Sequence, residues 1–153
     1  MSMARKYRQG TFKPTNPHKY VGDINNIVYR SSWEHKFMQQ CDLNPAVKRF
    51  SSEELAIPYW SEFDQKYRRY FIDFVITVAM KDGSEKTFLI EIKPYCQTIP
   101  PKVTRRKKPE TMLQEAKDWA VNNNKWQAAK IYADKIGAEC RVLDEYSLAI
   151  KRR

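Results

Sequence analysis

Glycine is scarce in this sequence, at four of 153 residues, and the three cysteines, Cys41, Cys96 and Cys140, stand far apart with no Cys-x-x-Cys pair. That pattern argues against a disulfide framework and a zinc knuckle, and favours a reducing compartment. No stretch is long and apolar enough to cross a membrane. The amino terminus, Met1-Ser2-Met3-Ala4-Arg5-Lys6, is charged and has no apolar run of the signal-peptide kind. A basic amphipathic helix and a lipidation signal are also missing, which argues against a membrane partner. The expectation is one soluble intracellular domain, long enough to bury a core.

Positive charge is present in excess. A formal net charge of +10 predicts attraction to a polyanion, of which nucleic acid is the commonest inside cells. Such binding weakens steeply with salt.

Residues 1–30 read as an irregular basic arm (Arg5, Lys6, Arg8, Lys13, Lys19), ending in a short extended piece near Ile27–Tyr29. Its cations could follow a phosphate backbone, while Tyr7, Phe12 and Tyr20 suggest docking. The rest, 31–153, reads as the main domain. Ser31 to Cys41 predicts a helix with a Ser-x-x-Glu capping box. Glu34 has two readings: a cap for the first turn, or a functional group on the stripe of Phe37, Met38 and Cys41. Val47–Phe50 and Leu55–Tyr59 predict short strands, and Ser61–Lys66 a hairpin connection. Tyr67 to Met80 is the longest β-type run, with Asp73 the one acid inside it. Lys81-Asp82-Gly83-Ser84 predicts a tight turn, which would set Asp73 nearly opposite Glu91.

The following strand, Thr87 to Pro94, carries Glu91 and Lys93 two residues apart, on the same face as Leu89. Phe88, Ile90 and Ile92 form its apolar face. The pair is either a strand-end ion pair or part of a site, since ionised groups in such a setting need partners. Two carboxylates gathered by the hairpin repel unless a cation lies between them, and hard oxygen ligands suit Mg²⁺ or Mn²⁺. Thr98–Pro109 is a proline-stiffened basic loop with Lys102, Arg105, Arg106, Lys107 and Lys108. It reads as either a solvated charge run or a grip on phosphate. Glu110 to Gly137 predicts helix with a break at Asn122–Asn124, and Gly137 as its cap. Lys125 is either a phosphate contact or a surface neighbour of Trp126. A last strand at Cys140–Leu143 and a closing element at Tyr146–Ile150 follow.

Glu34, then Asp73, then seventeen residues, then Glu91-Ile92-Lys93 is an order that resembles the PD-(D/E)XK nuclease superfamily. Ile72 stands where that superfamily often has proline. The resemblance implies an α/β (α+β) restriction-endonuclease-like single domain, a central mixed β-sheet flanked by helices. The phrases Ser-Ser-Trp-Glu, Asn-Pro-Ala-Val, Lys-Tyr-Arg-Arg-Tyr-Phe-Ile-Asp-Phe and Phe-Leu-Ile-Glu-Ile-Lys-Pro are similar to the endonuclease subunit of heteromeric transposases. Gly10-Thr11-Phe12-Lys13-Pro14, Pro17 to Asp23 and Asn124-Lys125-Trp126-Gln127-Ala128-Ala129 extend the likeness to the head completion proteins of T-even-type bacteriophages.

These resemblances imply a metal-dependent DNA nuclease acting on the packaged DNA end. It would work in the host cytoplasm during assembly and in the virion head-neck region, with portal or neck proteins as partners. They also imply Glu34, Asp73, Glu91 and Lys93 as catalytic residues, with Asp73, Glu91 and the Ile92 carbonyl on Mg²⁺ or Mn²⁺. Lys102, Arg105, Arg106, Lys107, Lys108 and Lys125 would hold the DNA backbone. The rival expectation is a non-enzymatic DNA-end or portal-binding head protein on a nuclease scaffold. A transposase subunit is a third, and little chain after Leu143 remains for the partner-binding domain it would need.

Overall fold

Two helices and a four-stranded sheet carry the architecture of the computed structural model, which describes residues 9–148. The cations at Arg5, Lys6 and Arg8, Tyr7, the last two residues of the expected closing element, and Lys151-Arg152-Arg153 lie outside that range. β1 (Gly10–Thr11) and β2 (Val28–Tyr29) pair with each other and precede α1 (Ser32–Leu43). Then come β3 (Val47–Ser52), β4 (Ala56–Ser61), β5 (Lys66–Phe71), β6 (Phe74–Ala79), β7 (Glu85–Ile92), α2 (Pro109–Ile136) and β8 (Glu139–Leu143). The main sheet has the order β3-β6-β7-β8. Its first two pairings are antiparallel and β7–β8 is parallel, so the sheet is mixed. The fold is α+β, with a helix on each face of the sheet.

Side-chain alternation divides the two faces. Phe88, Ile90 and Ile92 of β7, with Phe74, Ile76 and Val78 of β6, pack under α1 against Phe37, Met38 and Cys41. Leu89 and Val75 point the other way, toward Ala129 and Ala133 of α2. The alanines let α2 lie close to the sheet. Phe12, Tyr20 and Ile27 are buried in the α1-side core, so the described part of the amino-terminal segment is docked. Lys19 is buried as well, and its Nζ donates to the carbonyls of Cys41, Asp42 and Asn44 at 2.6, 2.9 and 2.9 Å. It is therefore unavailable to a phosphate backbone.

Two expectations are corrected. The run from Tyr67 to Met80 is two strands, because β5 pairs with β4 in a separate ribbon while β6 joins the main sheet. The chain changes sheets at Ile72-Asp73. Glu53 N donates to the Asp73 carbonyl at 3.0 Å there, and Ile72 N to Leu55 O at 3.2 Å. Nor does α2 break at Asn122–Asn124. Asparagine costs a helix only a fraction of a kcal/mol, about 0.7 at most, and here two of the three find partners. Asn123 Nδ2 donates to Trp119 O at 3.0 Å, and Asn124 Oδ1 accepts Glu62 N at 3.2 Å. The helix starts on Pro109 at its first turn and stops at Gly137, whose φ of 71° suits the left-handed cap.

Candidate active site

Asp73 and Glu91 meet at one end of the sheet. The β6–β7 register pairs Phe74 with Ile90, so one step beyond the last pair sets Asp73 against Glu91. The Asp82-Gly83 turn fixes that register: Gly83 has φ 88°, and Asp82 Oδ1 accepts Ser84 N at 2.9 Å. Asp73 Oδ2 accepts Ile92 N at 2.9 Å, and the carboxylate takes the place of a strand partner just before β6 begins. Glu91 is 5% exposed. Its Oε2 accepts a short hydrogen bond from the Tyr70 hydroxyl, and its Oε1 lies 3.8 Å from Lys93 Nζ. Lys93 N donates to Leu143 O at 2.9 Å, extending the β7–β8 ladder and fixing the base of that side chain.

Glu34 caps α1, and its carboxylate lies near Asp73. Ser31 Oγ accepts Glu34 N at 3.1 Å and donates to Glu34 Oε2 at 3.2 Å, which caps the helix. The half-buried carboxylate also lies within the field of Asp73. Burial first, then the Asp73 charge, pushes the Glu34 carboxyl up to about 7. Asp73 is likewise pushed up to about 7, by burial and then by Glu91. Glu91 is raised by burial, against the lowering pull of the Tyr70 hydroxyl and Lys93. Glu53 adds negative potential to Asp73 and Glu34, although Arg30 grips its carboxylate at 3.0 and 3.2 Å.

At this sheet end Asp73 raises the proton affinity of Glu34, and Glu91 raises that of Asp73, as close carboxylates do. Among the described residues, no three His, Cys, Asp or Glu side chains come together as a metal cage. The donors on offer are the Asp73 and Glu91 carboxylates with the Ile92 main chain beside them. That set suits Mg²⁺, which takes one or two carboxylates and completes its shell with water and substrate oxygens. The residues present fit the ion.

On the α2 side, Lys125 Nζ sits 5.9 and 5.6 Å from the ring centroids of Tyr59 and Tyr70. Burial, then the charge of Lys93, lowers its pKa. Lys93 and Lys125 stand at the head of a cleft of about 1120 Å³ between α2 and the 95–107 segment. Lys102 and Lys107 line the same cleft, but Lys107 Nζ is committed to Glu115 Oε2 at 2.8 Å and Lys102 O at 2.9 Å. Arg105, Arg106 and Lys108 are exposed and are not part of the cleft lining. Glu34, Asp73, Glu91, Lys93 and Lys125 are thus brought together, Lys102 and Lys107 share the cleft with the two lysines, and Arg105, Arg106 and Lys108 lie outside its lining. Tyr59, Tyr70, Glu53 and Arg30 belong to the neighbourhood without having been expected there.

The family model of the TnsA-like endonuclease N-terminal domain matches residues 44–145. The chain belongs to that family. It is also 41% identical over 144 residues to the head completion nuclease of Enterobacteria phage T4, covering 91% of this chain and 92% of the phage T4 protein. No solved structure matches. The TnsA-like segment holds Asp73, Glu91, Lys93 and Lys125, whereas Glu34 comes from the helix before it.

The proton affinities predict how the metal-free protein responds to pH. In the folded state Asp73 and Glu34 hold protons up to about 7, whereas unfolded carboxyls lose theirs near 4. The folded chain therefore binds more protons between those limits, and its stability falls as pH rises through 7. Thermal melts in chelator at pH 5.5, 6.5, 7.5 and 8.5 should show a falling midpoint, flattened in Asp73→Asn. A midpoint that stays level or climbs in wild type would contradict the electrostatics described above.

Proposed function

We propose that this TnsA-like protein is a Mg²⁺-dependent deoxyribonuclease of the PD-(D/E)XK kind. It serves phage head completion by processing the packaged DNA end before the neck or tail attaches. The observation that carries the reading is the convergence of Asp73, Glu91 and Lys93 at one sheet end, in a chain of net charge +10. The likeness to a head completion nuclease supports the assembly role. Portal or neck proteins are the corresponding partners, met in the host cytoplasm during assembly and at the virion head-neck junction.

Asp73, Glu91 and the Ile92 carbonyl would hold Mg²⁺ or Mn²⁺. When bound, the ion supplies Lewis acidity at a phosphoryl oxygen and lowers the pKa of water. Lys93 orients the attacking water or offsets the charge that grows on the phosphorus oxygens. Tyr70 holds one Glu91 oxygen by its hydroxyl and so fixes the rotamer of the carboxylate. Glu34 orients water on the α1 side. Lys102, Arg105, Arg106, Lys107 and Lys108 hold the DNA backbone without reading bases, and Lys125 meets a substrate phosphate in the cleft.

Linear duplex DNA incubated with the pure protein and Mg²⁺ should be cut. Chelator should stop the reaction, and Mg²⁺ or Mn²⁺ should restore it. Mg²⁺ at about 100 times its dissociation constant should also stabilise the wild type by about 2.7 kcal/mol, seen as a higher melting midpoint that Asp73→Asn does not share. Intact DNA in every metal condition would sink the nuclease reading and favour a purely structural head protein.

A further inference from the structure

Lys125 is an unusual lysine for a surface helix. It is half-buried, its ammonium faces two tyrosine rings, and it makes no salt bridge among the described residues. Lys86 and Lys107, by contrast, each reach a glutamate at 3.0 and 2.8 Å. Lys125 also lies within the field of a second ammonium, Lys93, at the head of one cleft. Glu91, one of the carboxylates whose charge acts on Lys125, is already engaged, since it binds the Tyr70 hydroxyl and approaches Lys93.

Two like charges in a partly desolvated place repel, and an anion between them removes that cost. The ring faces of Tyr59 and Tyr70 give a cation some compensation. They also pin the side chain, so its position is built rather than left to a solvated rotamer. Lys93 follows directly on β7 and Lys125 belongs to α2, and both line the same cleft. Lys93 lies 3.8 Å from Glu91, and Glu91 and Asp73 both act on the Lys125 charge, so the cleft shared by the two lysines adjoins the carboxylates.

Building on the nuclease reading, we infer that Lys93 and Lys125 form a two-lysine site for the scissile phosphate itself. Lys125 contacts the reacting phosphodiester there and is not a remote grip on the backbone. Its partner is a phosphodiester oxygen, and the Tyr59 and Tyr70 rings hold the ammonium in place before DNA arrives.

The test is single-turnover cleavage of a duplex oligonucleotide in Mg²⁺ at saturating protein. Wild type, Lys125→Met, Lys125→Arg, Lys93→Met and Asp73→Ala are compared, with dissociation constants measured in parallel. Lys125→Met should lose about 100-fold in rate at saturation, as removal of a transition-state donor does. Its dissociation constant should move less than the rate, and Lys125→Arg should recover part of the loss. A Lys125→Met protein that cuts at the wild-type rate, or whose whole loss is in affinity, overturns the inference. Should Lys125→Met fail to fold, titration of Mg²⁺-loaded wild type with inorganic phosphate decides, read by lysine side-chain NMR. The Lys93 and Lys125 resonances should move together, and their standing still overturns the site. An Asp73→Ala protein that still cuts refutes the nuclease site as a whole. A dead Asp73→Ala beside a fully active Lys125→Met refutes only the two-lysine site.

Discussion

Asp73→Ala should abolish DNA cleavage, and Lys93→Ala should do the same, while both proteins should still bind DNA in a salt-sensitive way. In the proposed mechanism Asp73 would hold the metal that activates water, and Lys93 would stabilise charge that exists only in the transition state. Losing one such electrostatic contact lowers a rate by about 10² to 10³, and losing the metal's anchor lowers it further. The fold has little reason to suffer. Asp73 contributes one hydrogen bond, from Ile92 N at 2.9 Å, which is worth about 1 kcal/mol. Its removal also relieves repulsion with Glu91 and Glu34. Binding depends instead on the summed positive charge, which Asp73→Ala makes more positive. Initial rates with Mg²⁺, together with fluorescence anisotropy across a salt series, separate the two quantities. Wild-type cutting by either variant would show that the chemistry lies elsewhere.

The meeting of Asp73 and Glu91 was legible because a local signal controlled it. Asp-Gly dictates a tight turn, a tight turn dictates register, and counting back from Gly83 reaches both acids. The two faces of β7 followed from alternation alone. Tyr70 was hidden by the same logic. On one unbroken strand, residues three apart face opposite sides, so Tyr70 would have pointed away from Asp73. The change of sheet at Ile72-Asp73 resets the alternation and turns both toward Glu91. An acid inside an apolar β run can mark such a break, since its carboxylate can replace a strand partner. Lys125 was open to two readings because helix periodicity says which side of α2 faces inward, but not what stands across from it. Tyr59 and Tyr70 come from a ribbon that has its own pairing. The long-range placement of that ribbon on α2 leaves no local trace.

Lys19→Met should destabilise the fold severely while sparing chemistry and DNA binding. Methionine keeps most of the alkyl stem, so the change removes the ammonium and little packing. Three carbonyls at the end of α1 then lose their donor: Cys41, Asp42 and Asn44. The favourable placement of a cation at a helix carboxyl end is lost as well. Stranded buried acceptors cost about 1–3 kcal/mol each before relaxation, so a net loss of about 3 kcal/mol is expected. That is a large share of the roughly 5–15 kcal/mol that holds a domain together. At about 2–4 °C per kcal/mol for a chain of this size, the melting midpoint should fall by about 10 °C. The neighbouring clamp does not compensate, because Asp42 Oδ2 and Oδ1 are already taken by Thr15 N and Asn16 N at 2.7 and 2.9 Å. Lys48→Met, at an exposed position, should shift the midpoint by less than about 0.5 kcal/mol equivalent. DNA affinity distinguishes the two possible duties of Lys19. A lysine on a phosphate reduces the salt slope by about 1 when removed, whereas a lysine buried under α1 leaves it unchanged. Well below the new midpoint, Lys19→Met should therefore cut and bind as wild type does. A midpoint within 2 °C of wild type, or a smaller salt slope, would return Lys19 to the surface.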